Sequence, residues 1–287
     1  MSLTRFRAYQ LGIAGSSFSY SHNGDFTLIE ARLTDLSAAN IDDEINDIGG
    51  GTLNVLHITS WDKDHCDPTD LGTILKVLDP PVVQAPGYAP TSDSGKLAVK
   101  MLQARKKSGG TVQFIGPNYI GGLSNASALK TSNILLWPRE LHATNHNDNS
   151  VAKFFRSGHF TVLSLGDIES ADIADQITAG SIVTDEVDIL ILPHHGADNG
   201  FTSKEFLEAV SPRAAICSSN YDSQYEHPKQ SIRDLLYEQD IRLFTTKTGD
   251  VIIESDGTNG EFHIYNTIGN STKLSSAWVG KSKHPLQ

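Results

Sequence analysis

Four short polar segments contain the residues whose types and spacing could do chemistry, and each follows an apolar, strand-like run. In the first segment, Asp62, Asp64 and His65 place two carboxylates and an imidazole on one loop. Carboxylates this close repel each other unless a cation neutralises them, and histidine adds a nitrogen ligand that zinc and manganese accept. Taken alone, the segment is explained equally well as an acidic, solvated turn with an aspartate that caps the next helix.

The other three segments are also ambiguous when each is taken by itself. Asp167 ends an apolar run, where it could bridge two cations or simply cap the following helix. His194 and His195 end another run, and burying two imidazoles there is costly unless they are hydrogen-bonded or ligated. His227 lies in a polar loop after the fourth run and indicates only a loop.

The joint pattern of the four segments is more informative than any one of them. Loops at one edge of a layered sheet meet in space, so clusters that follow several strands at the same end can form one site. The sequence therefore predicts that distant segments converge on a site for divalent metal ions.

The elements that must position these residues are those of a layered α/β or α+β fold, because β-branched apolar runs alternate with amphipathic helical stretches. No internal repeat or long linker is visible, so we expect one domain over residues 1–287 with a polar tail from about residue 267. Residues 151–155 and 160–165 flank a glycine-containing turn and predict a β-hairpin. Strands are predicted over residues 27–33, 53–58, 82–85, 111–115, 134–137, 151–155, 160–165, 187–192, 214–217, 242–245, 251–254 and 261–265, and helices over 71–77, 95–107, 168–179, 203–210 and 230–239.

The composition is that of a soluble globular chain, with 287 residues, 38% hydrophobic residues and a formal net charge of −11. This acidic balance argues against a broad basic surface that binds nucleic acid by counterion release alone. No apolar run approaches the roughly 20 residues of a membrane helix, the N-terminus has no secretory signal, and two cysteines cannot make a disulfide framework. We therefore expect a cytoplasmic protein with no membrane partner.

Several motifs resemble the metallo-β-lactamase-like domain of the ComEC competence proteins. The resemblance rests on Gly166-Asp167, His194-His195-Gly196, Asn220 and His227-Pro228, whose order and spacing match that family. It is close over residues 110–257 and looser over residues 3–80. It implies a four-layer αββα sandwich with a two-metal hydrolytic site at one edge of the sheets.

The resemblance also implies roles for individual residues. One cation would be held by Asp64, His65, Asp167 and His195, and the other by Asp62, Asp167 and a group from the stretch His146 to Asp148, with His146 and Asp148 as the candidates. His194 would face the substrate and orient it, and His227 would contact a phosphate or act as a general acid. The candidate catalytic residues are thus Asp64, His194 and His227, and the expected cofactor is one or two divalent ions, zinc or manganese.

The first motif departs from the family pattern at its leading position. The ComEC branch often has His-x-Asp-x-Asp-His, whereas this chain has Ser60 in place of the first histidine. A neutral hydroxyl is a poor zinc ligand, so that cation site is expected to be weakened, selective for hard ions or filled only with substrate.

The leading functional hypothesis is metal-assisted hydrolysis of a phosphodiester in nucleic acid or a nucleotide, because a divalent pair activates water and stabilises charge on phosphoryl oxygens. The more specific expectation of nuclease activity comes from the resemblance alone. Hydrolysis of a lactone or another ester is the second hypothesis, since the same chemistry attacks a carbonyl carbon. The third is a non-catalytic binding module with a degenerate metal site.

Overall fold

The computed structural model describes residues 3–123, 133–221, 225–269 and 271–283. The strands are β1 (Thr4–Ala8), β2 (Phe18–His22), β3 (Asp25–Ile29), β4 (Val55–His57), β5 (Val82–Pro86), β6 (Thr111–Ile115), β7 (Ile134–Trp137), β8 (Ala152–Phe155), β9 (Val162–Ser164), β10 (Ile189–Ile191), β11 (Ala214–Cys217), β12 (Arg242–Thr245), β13 (Val251–Ser255), β14 (Glu261–Thr267) and β15 (Leu274–Lys281). The helices are α1 (Ala38–Asp47), α2 (Pro68–Thr73), α3 (Asp93–Lys107), α4 (Pro117–Gly121), α5 (Ala171–Thr178), α6 (Ser181–Glu186), α7 (Lys204–Val210) and α8 (Gln230–Glu238). Among the described helices, none combines the length and the apolar composition needed to cross a membrane.

The strands form two sheets. One sheet has nine strands in the order β15-β14-β13-β1-β2-β3-β4-β5-β6, and the other has six in the order β12-β11-β10-β9-β8-β7. Strands β3 to β6 run parallel in the first sheet, and β9 to β12 run parallel in the second. Because the carboxyl ends of parallel strands meet at one edge, the loops that follow them can build a common site.

Three apolar cores separate four layers. Helices α1 to α3 cover the outer face of the nine-stranded sheet, where Ile41 and Leu102 are buried. Helices α5 to α8 cover the outer face of the six-stranded sheet with Ile173 and Leu236. The inner faces of the two sheets pack together through aromatic side chains such as Phe155, each worth about 1.5–3 kcal/mol when fully buried. This order of layers confirms the predicted αββα sandwich.

The predicted hairpin is present, because β8 and β9 pair antiparallel with Lys153 opposite Ser164. The N-terminal strand β1 and the helix α1 were not predicted. In β1, Arg5 and Arg7 alternate with buried apolar residues, and their guanidinium groups lie 2.7 and 2.8 Å from the carboxylate of Glu44 on α1. The partner that allows these arginines to be buried is distant in sequence, so local patterning does not reveal the strand.

The polar tail predicted from about residue 267 contains a strand. β15 pairs antiparallel with β14, with Trp278 opposite Ile264, and forms one edge of the nine-stranded sheet. Most of its side chains are exposed, and so the sequence lacks the alternation of apolar and polar residues that identifies a half-buried strand.

Candidate metal centre

Four of the predicted metal ligands converge at the edge of the sandwich where the carboxyl ends of the parallel strands of both sheets lie. Asp64 and His65 follow β4 of the nine-stranded sheet, whereas Asp167 and His195 follow β9 and β10 of the six-stranded sheet. One ligand atom from each side chain lies within 4.8 Å of those from the other three. We name these four residues the ligand group.

The atoms of the ligand group fit a divalent cation. His65 Nε2 lies 2.8 Å from Asp167 Oδ1, and His195 Nε2 lies 3.3 Å from Asp64 Oδ2. Apart from these contacts within the ligand group, the two Nε2 atoms and Asp167 Oδ1 are buried without a hydrogen-bond partner. Unpaired buried polar atoms are costly, and two imidazole nitrogens with two carboxylates are a donor set that zinc or manganese accepts.

The electrostatics of the ligand group favour positive charge at its centre. Burial disfavours a charged His65, but the carboxylates of Asp167 and Glu30 outweigh burial and raise the pKa of this imidazole well above its ordinary range. Burial also opposes charge on His195, yet Asp64 and Asp167 raise its pKa as well. The carboxylates therefore draw protons onto the imidazoles, and a divalent cation at the same place would supply that positive charge instead.

Glu30 is a candidate site residue that sequence reasoning missed. It follows β3, is 1% exposed, and accepts a hydrogen bond at 3.1 Å from Nδ1 of His65 through Oε1. Its other oxygen accepts the backbone N–H of Thr59 at 2.9 Å. A carboxylate on Nδ1 fixes the imidazole tautomer and leaves the Nε2 lone pair free for a cation. The sequence signal that could have identified Glu30 is its position directly after β3, a strand of the sheet that also positions Asp64 and His65.

The loop after β10 sends its two histidines in different directions. His194 and His195 have φ values of 44° and 54°, in the left-handed region that non-glycine residues seldom adopt. Nδ1 of His195 lies 3.1 Å from the backbone oxygen of Ser218, which leaves Nε2 facing the ligand group. Nδ1 of His194 instead lies 2.6 Å from Oε1 of Glu169, so the His194 ring stands beside the ligand group.

The Glu169 carboxylate that holds His194 is itself fixed in position. It accepts hydrogen bonds from the side-chain amides of Asn145 and Asn147 at 2.9 and 3.0 Å. The sequence did not single out Asn145, whereas Asn147 lies in the stretch from His146 to Asp148 from which the resemblance implied a ligand.

The structure gives Asp148 a different role from the one predicted for it. Its Oδ1 accepts the backbone N–H groups of Glu169 and Ser170, both at 2.9 Å, and its Oδ2 accepts the Asn145 amide at 3.0 Å. These bonds occupy the carboxylate in holding the loop after β9, so we place Asp148 outside the ligand group. His146 stacks on the ring of Tyr88 with a centroid distance of 6.1 Å and is also outside the group.

Asp62 and Ser60 lie next to the ligand group without belonging to it. Burial, together with the negative charges of Asp167 and Asp64, raises the pKa of Asp62. Ser60 is fully buried, accepts the N–H of Asp62 at 3.2 Å and lies 3.4 Å from the Tyr88 hydroxyl. In the part of the chain that the structure describes, the ligand group is the one cluster of three or more such donors.

A small pocket of about 150 Å³ opens beside the ligand group. His194, His227 and Asn220 are among its walls, together with Asp64. Burial and the neighbouring charges of His195 and His194 lower the pKa of His227 to about 4. A neutral imidazole can still donate a hydrogen bond from one ring nitrogen, which suits contact with an anionic oxygen better than release of a proton.

Replacing Gly166 by alanine should destabilise the fold by roughly 2 kcal/mol or more and weaken metal binding. Gly166 has a φ of 58°, and a Cβ there would lie 2.8 Å from both Ser150 Cβ and Thr59 Oγ1. The clash would displace Asp167, whose N–H donates to Ser150 Oγ. Urea unfolding and metal titration would measure the two effects.

Gly24 provides the matched control for this substitution. It has a φ of 82°, but a Cβ there would meet no atom within 4 Å. Gly24→Ala should therefore show only the cost of backbone strain and leave metal affinity unchanged. Equal effects of the two substitutions on metal affinity would contradict the prediction.

Two solved structures align with most of the chain. Igni18, a metallo hydrolase from the archaeon Ignicoccus hospitalis, is 12% identical with a TM-score of 0.50, and the match covers 87% of this chain and 98% of that one. Tm1679, a metal-dependent hydrolase of the β-lactamase superfamily, is 10% identical with a TM-score of 0.50 and coverages of 88% and 98%. The chain has the metallo-β-lactamase fold.

Two curated proteins are distant homologues of this metallo-β-lactamase-fold chain. ComE operon protein 3 of Bacillus subtilis is 24% identical over 217 residues, which are 74% of this chain and 26% of that protein. Competence protein ComA of Neisseria gonorrhoeae is 40% identical over 58 residues, 20% of this chain and 8% of that protein. The chain thus spans about a quarter or less of the relatives it matches. No protein-family model matches it.

Proposed function

We propose that this chain is a metal-dependent hydrolase that cleaves phosphodiesters in nucleic acid or nucleotides. The observation that carries the proposal is the ligand group, whose buried and unbonded donor atoms stand beside a pocket with two further imidazoles. The descriptions of Igni18 as a metallo hydrolase and of Tm1679 as a metal-dependent hydrolase support the general class. The choice of a phosphodiester substrate rests on the resemblance to the ComEC domain, and one of the two homologues is by its name a competence protein.

Asp64, His65, Asp167 and His195 would hold the cation. When bound there, a divalent ion supplies an acidified water and stabilises negative charge on a phosphoryl oxygen. Burial of His65 and Asp167 excludes bulk water from one side of the ligand group, which strengthens electrostatic interactions within it. Asp64 has the most exposed side chain of the four, at 37%, and can accept a hydrogen bond from the attacking water.

Two imidazoles of the pocket are placed to bind the substrate. His194 is held by Glu169 at 2.6 Å, so its ring has a fixed orientation and its Nε2 remains available. His227, with its pKa lowered to about 4, is neutral near pH 7. Preorganised donors of this kind stabilise charge that develops on the oxygens of a substrate.

The test is a panel of substrates with manganese, magnesium or zinc, comprising bis(p-nitrophenyl) phosphate, single- and double-stranded DNA, RNA and a lactone. We expect turnover of phosphodiesters. His194→Ala should lower kcat/KM about 10²-fold or more and leave the metal content unchanged, because His194 is outside the ligand group.

His263→Ala is the matched control, since His263 lies on β14 and stacks on Tyr265. It should leave turnover unchanged. Turnover of the lactone alone would replace the phosphodiesterase proposal with an esterase, and metal binding without turnover of any substrate would favour a binding module.

A further inference from the structure

A second groove, of about 600 Å³, shares no lining residue with the pocket at the ligand group. It runs beside β12, the edge strand of the six-stranded sheet, and its opposite wall comes from β14 and β15 of the other sheet. We name it the β12 groove and define it by Tyr221, Arg233, Arg242, Lys247, Ser275 and Trp278.

The charge of the β12 groove is opposite to that of the whole chain. Arg233, Arg242 and Lys247 are among its walls, and no aspartate or glutamate is. Within the described residues, none of these three cations has a carboxylate oxygen within 4.0 Å, whereas Arg105 and Arg156 each pair with one. Unneutralised cations gathered in one concave surface, on a chain of net charge −11, raise the local concentration of anions.

Aromatic rings stand among these cations. The side chain of Tyr221 is 72% exposed, and the partly exposed Trp278 is held by an edge contact with Phe262 at a centroid distance of 6.0 Å. A surface that binds single-stranded nucleic acid combines cations that follow the phosphate backbone with aromatic rings that stack on the bases. Base faces reach such rings only when the bases are not stacked in a duplex.

The loop after β11 connects a wall of the β12 groove to a wall of the pocket at the ligand group. Tyr221 directly follows Asn220, which is a wall of that pocket. The N–H of Ser219 donates to Thr246 Oγ1 at 3.0 Å, which ties the pocket loop to the residue before Lys247. From there the groove extends along β12 to Arg242, and the strand itself spans about 10 Å.

We propose that the β12 groove binds the backbone of a single-stranded nucleic acid and leads it to the ligand group. The proposal rests on the phosphodiesterase function proposed above and narrows its substrate to a polymer. The cations neutralise successive phosphates, and Tyr221 stacks on an unpaired base near the pocket.

The test compares two double variants that change the net charge equally. Arg242→Glu with Lys247→Glu reverses two cations of the groove, and Lys100→Glu with Lys107→Glu reverses two exposed cations on α3. Binding of a short, fluorescein-labelled phosphorothioate oligothymidine to the metal-loaded protein is followed by fluorescence anisotropy over a range of salt. The groove variant should lose about tenfold or more in affinity, with a salt slope reduced by roughly 0.7 for each phosphate contact removed.

Three further readouts decide the interpretation. The groove variant should keep the wild-type kcat/KM for bis(p-nitrophenyl) phosphate, because neither Arg242 nor Lys247 is a wall of the pocket at the ligand group. Tyr221→Ala should weaken oligonucleotide binding roughly fivefold or more, while Tyr221→Phe should preserve it. A polyglutamate peptide should bind much more weakly than the oligonucleotide and should be insensitive to Tyr221→Ala.

The proposal is overturned if the α3 variant loses as much affinity as the groove variant, or if polyglutamate binds as tightly as the oligonucleotide. Failure of the proposed hydrolysis is distinguishable from failure of the groove. If the protein cleaves no phosphodiester but the groove variant loses oligonucleotide binding, the proposal for the groove stands and the enzymatic proposal fails. If the protein cleaves bis(p-nitrophenyl) phosphate but all variants bind the oligonucleotide equally well, the enzymatic proposal stands and the proposal for the groove fails.

Discussion

Replacing Asp167 by asparagine should lower metal affinity roughly a hundredfold or more and reduce hydrolysis to background. Oδ1 of Asp167 is buried, lies 2.8 Å from His65 Nε2 and has no hydrogen-bond partner outside the ligand group. An amide removes one negative charge from a site whose two imidazoles are otherwise neutral ligands, and so the cation loses much of its attraction. Metal content after dialysis and calorimetric titration with zinc or manganese would measure the loss.

Asp148→Asn is the matched control, because Asp148 is a buried carboxylate at the same edge of the sandwich. An amide group would present N–H atoms to donors that now bond its oxygens, namely the N–H groups of Glu169 and Ser170 and the Asn145 amide. The expected result is a loss of about 1–3 kcal/mol in stability with one metal site retained. Loss of metal from Asp148→Asn as well as from Asp167→Asn would restore the ligand set predicted from the sequence, and full metal binding by Asp167→Asn would contradict the ligand group.

Replacing Glu30 by glutamine should weaken metal binding about 10- to 100-fold, although Glu30 touches no substrate. Its carboxylate accepts from both His65 Nδ1 and the Thr59 N–H. An amide can satisfy only one of these donors with its single oxygen, so the His65 ring loses its fixed tautomer or its orientation. Titration of metal against the variant, with hydrolysis of bis(p-nitrophenyl) phosphate measured in parallel, would follow both effects.

Glu44→Gln separates this role from general destabilisation. Glu44 is equally buried and bonds Arg5 and Arg7, which lie on β1, away from the ligand group. Its replacement should lower the melting temperature without changing metal affinity. If Glu30→Gln bound metal like the wild type and lost only stability, as Glu44→Gln is expected to do, then Glu30 would be a structural residue alone.

The sequence predicted the layered fold and most of the convergence because both depend on local patterns. The strands that precede Asp64, Asp167 and His195 lie in largely apolar runs, and such runs identify buried parallel strands. The strand β1 depends instead on Arg5 and Arg7 meeting a helix from a later part of the chain. Local periodicity contains no information about that ion pairing.

Local sequence patterns also cannot distinguish the role of Asp148 from that of Glu30. In the sequence, both are isolated carboxylates beside apolar runs, and nothing local shows which donors their oxygens accept. In the structure, Asp148 is occupied by backbone N–H groups and Glu30 by the ring of His65. Hydrogen-bond partners far apart in the chain thus decide which carboxylate is in contact with a candidate metal ligand.

The ligand group takes two of its members from each sheet, with Asp64 and His65 on one side and Asp167 and His195 on the other. A bound ion would therefore fasten the two halves of the sandwich together at their open rim. Ions that bind only the native state add about 2.7 kcal/mol of stability when their free concentration is a hundred times the dissociation constant. Resistance to heat and proteolysis would then follow the supply of metal around the protein, and scarcity of the ion would leave the two sheets free to part at that rim.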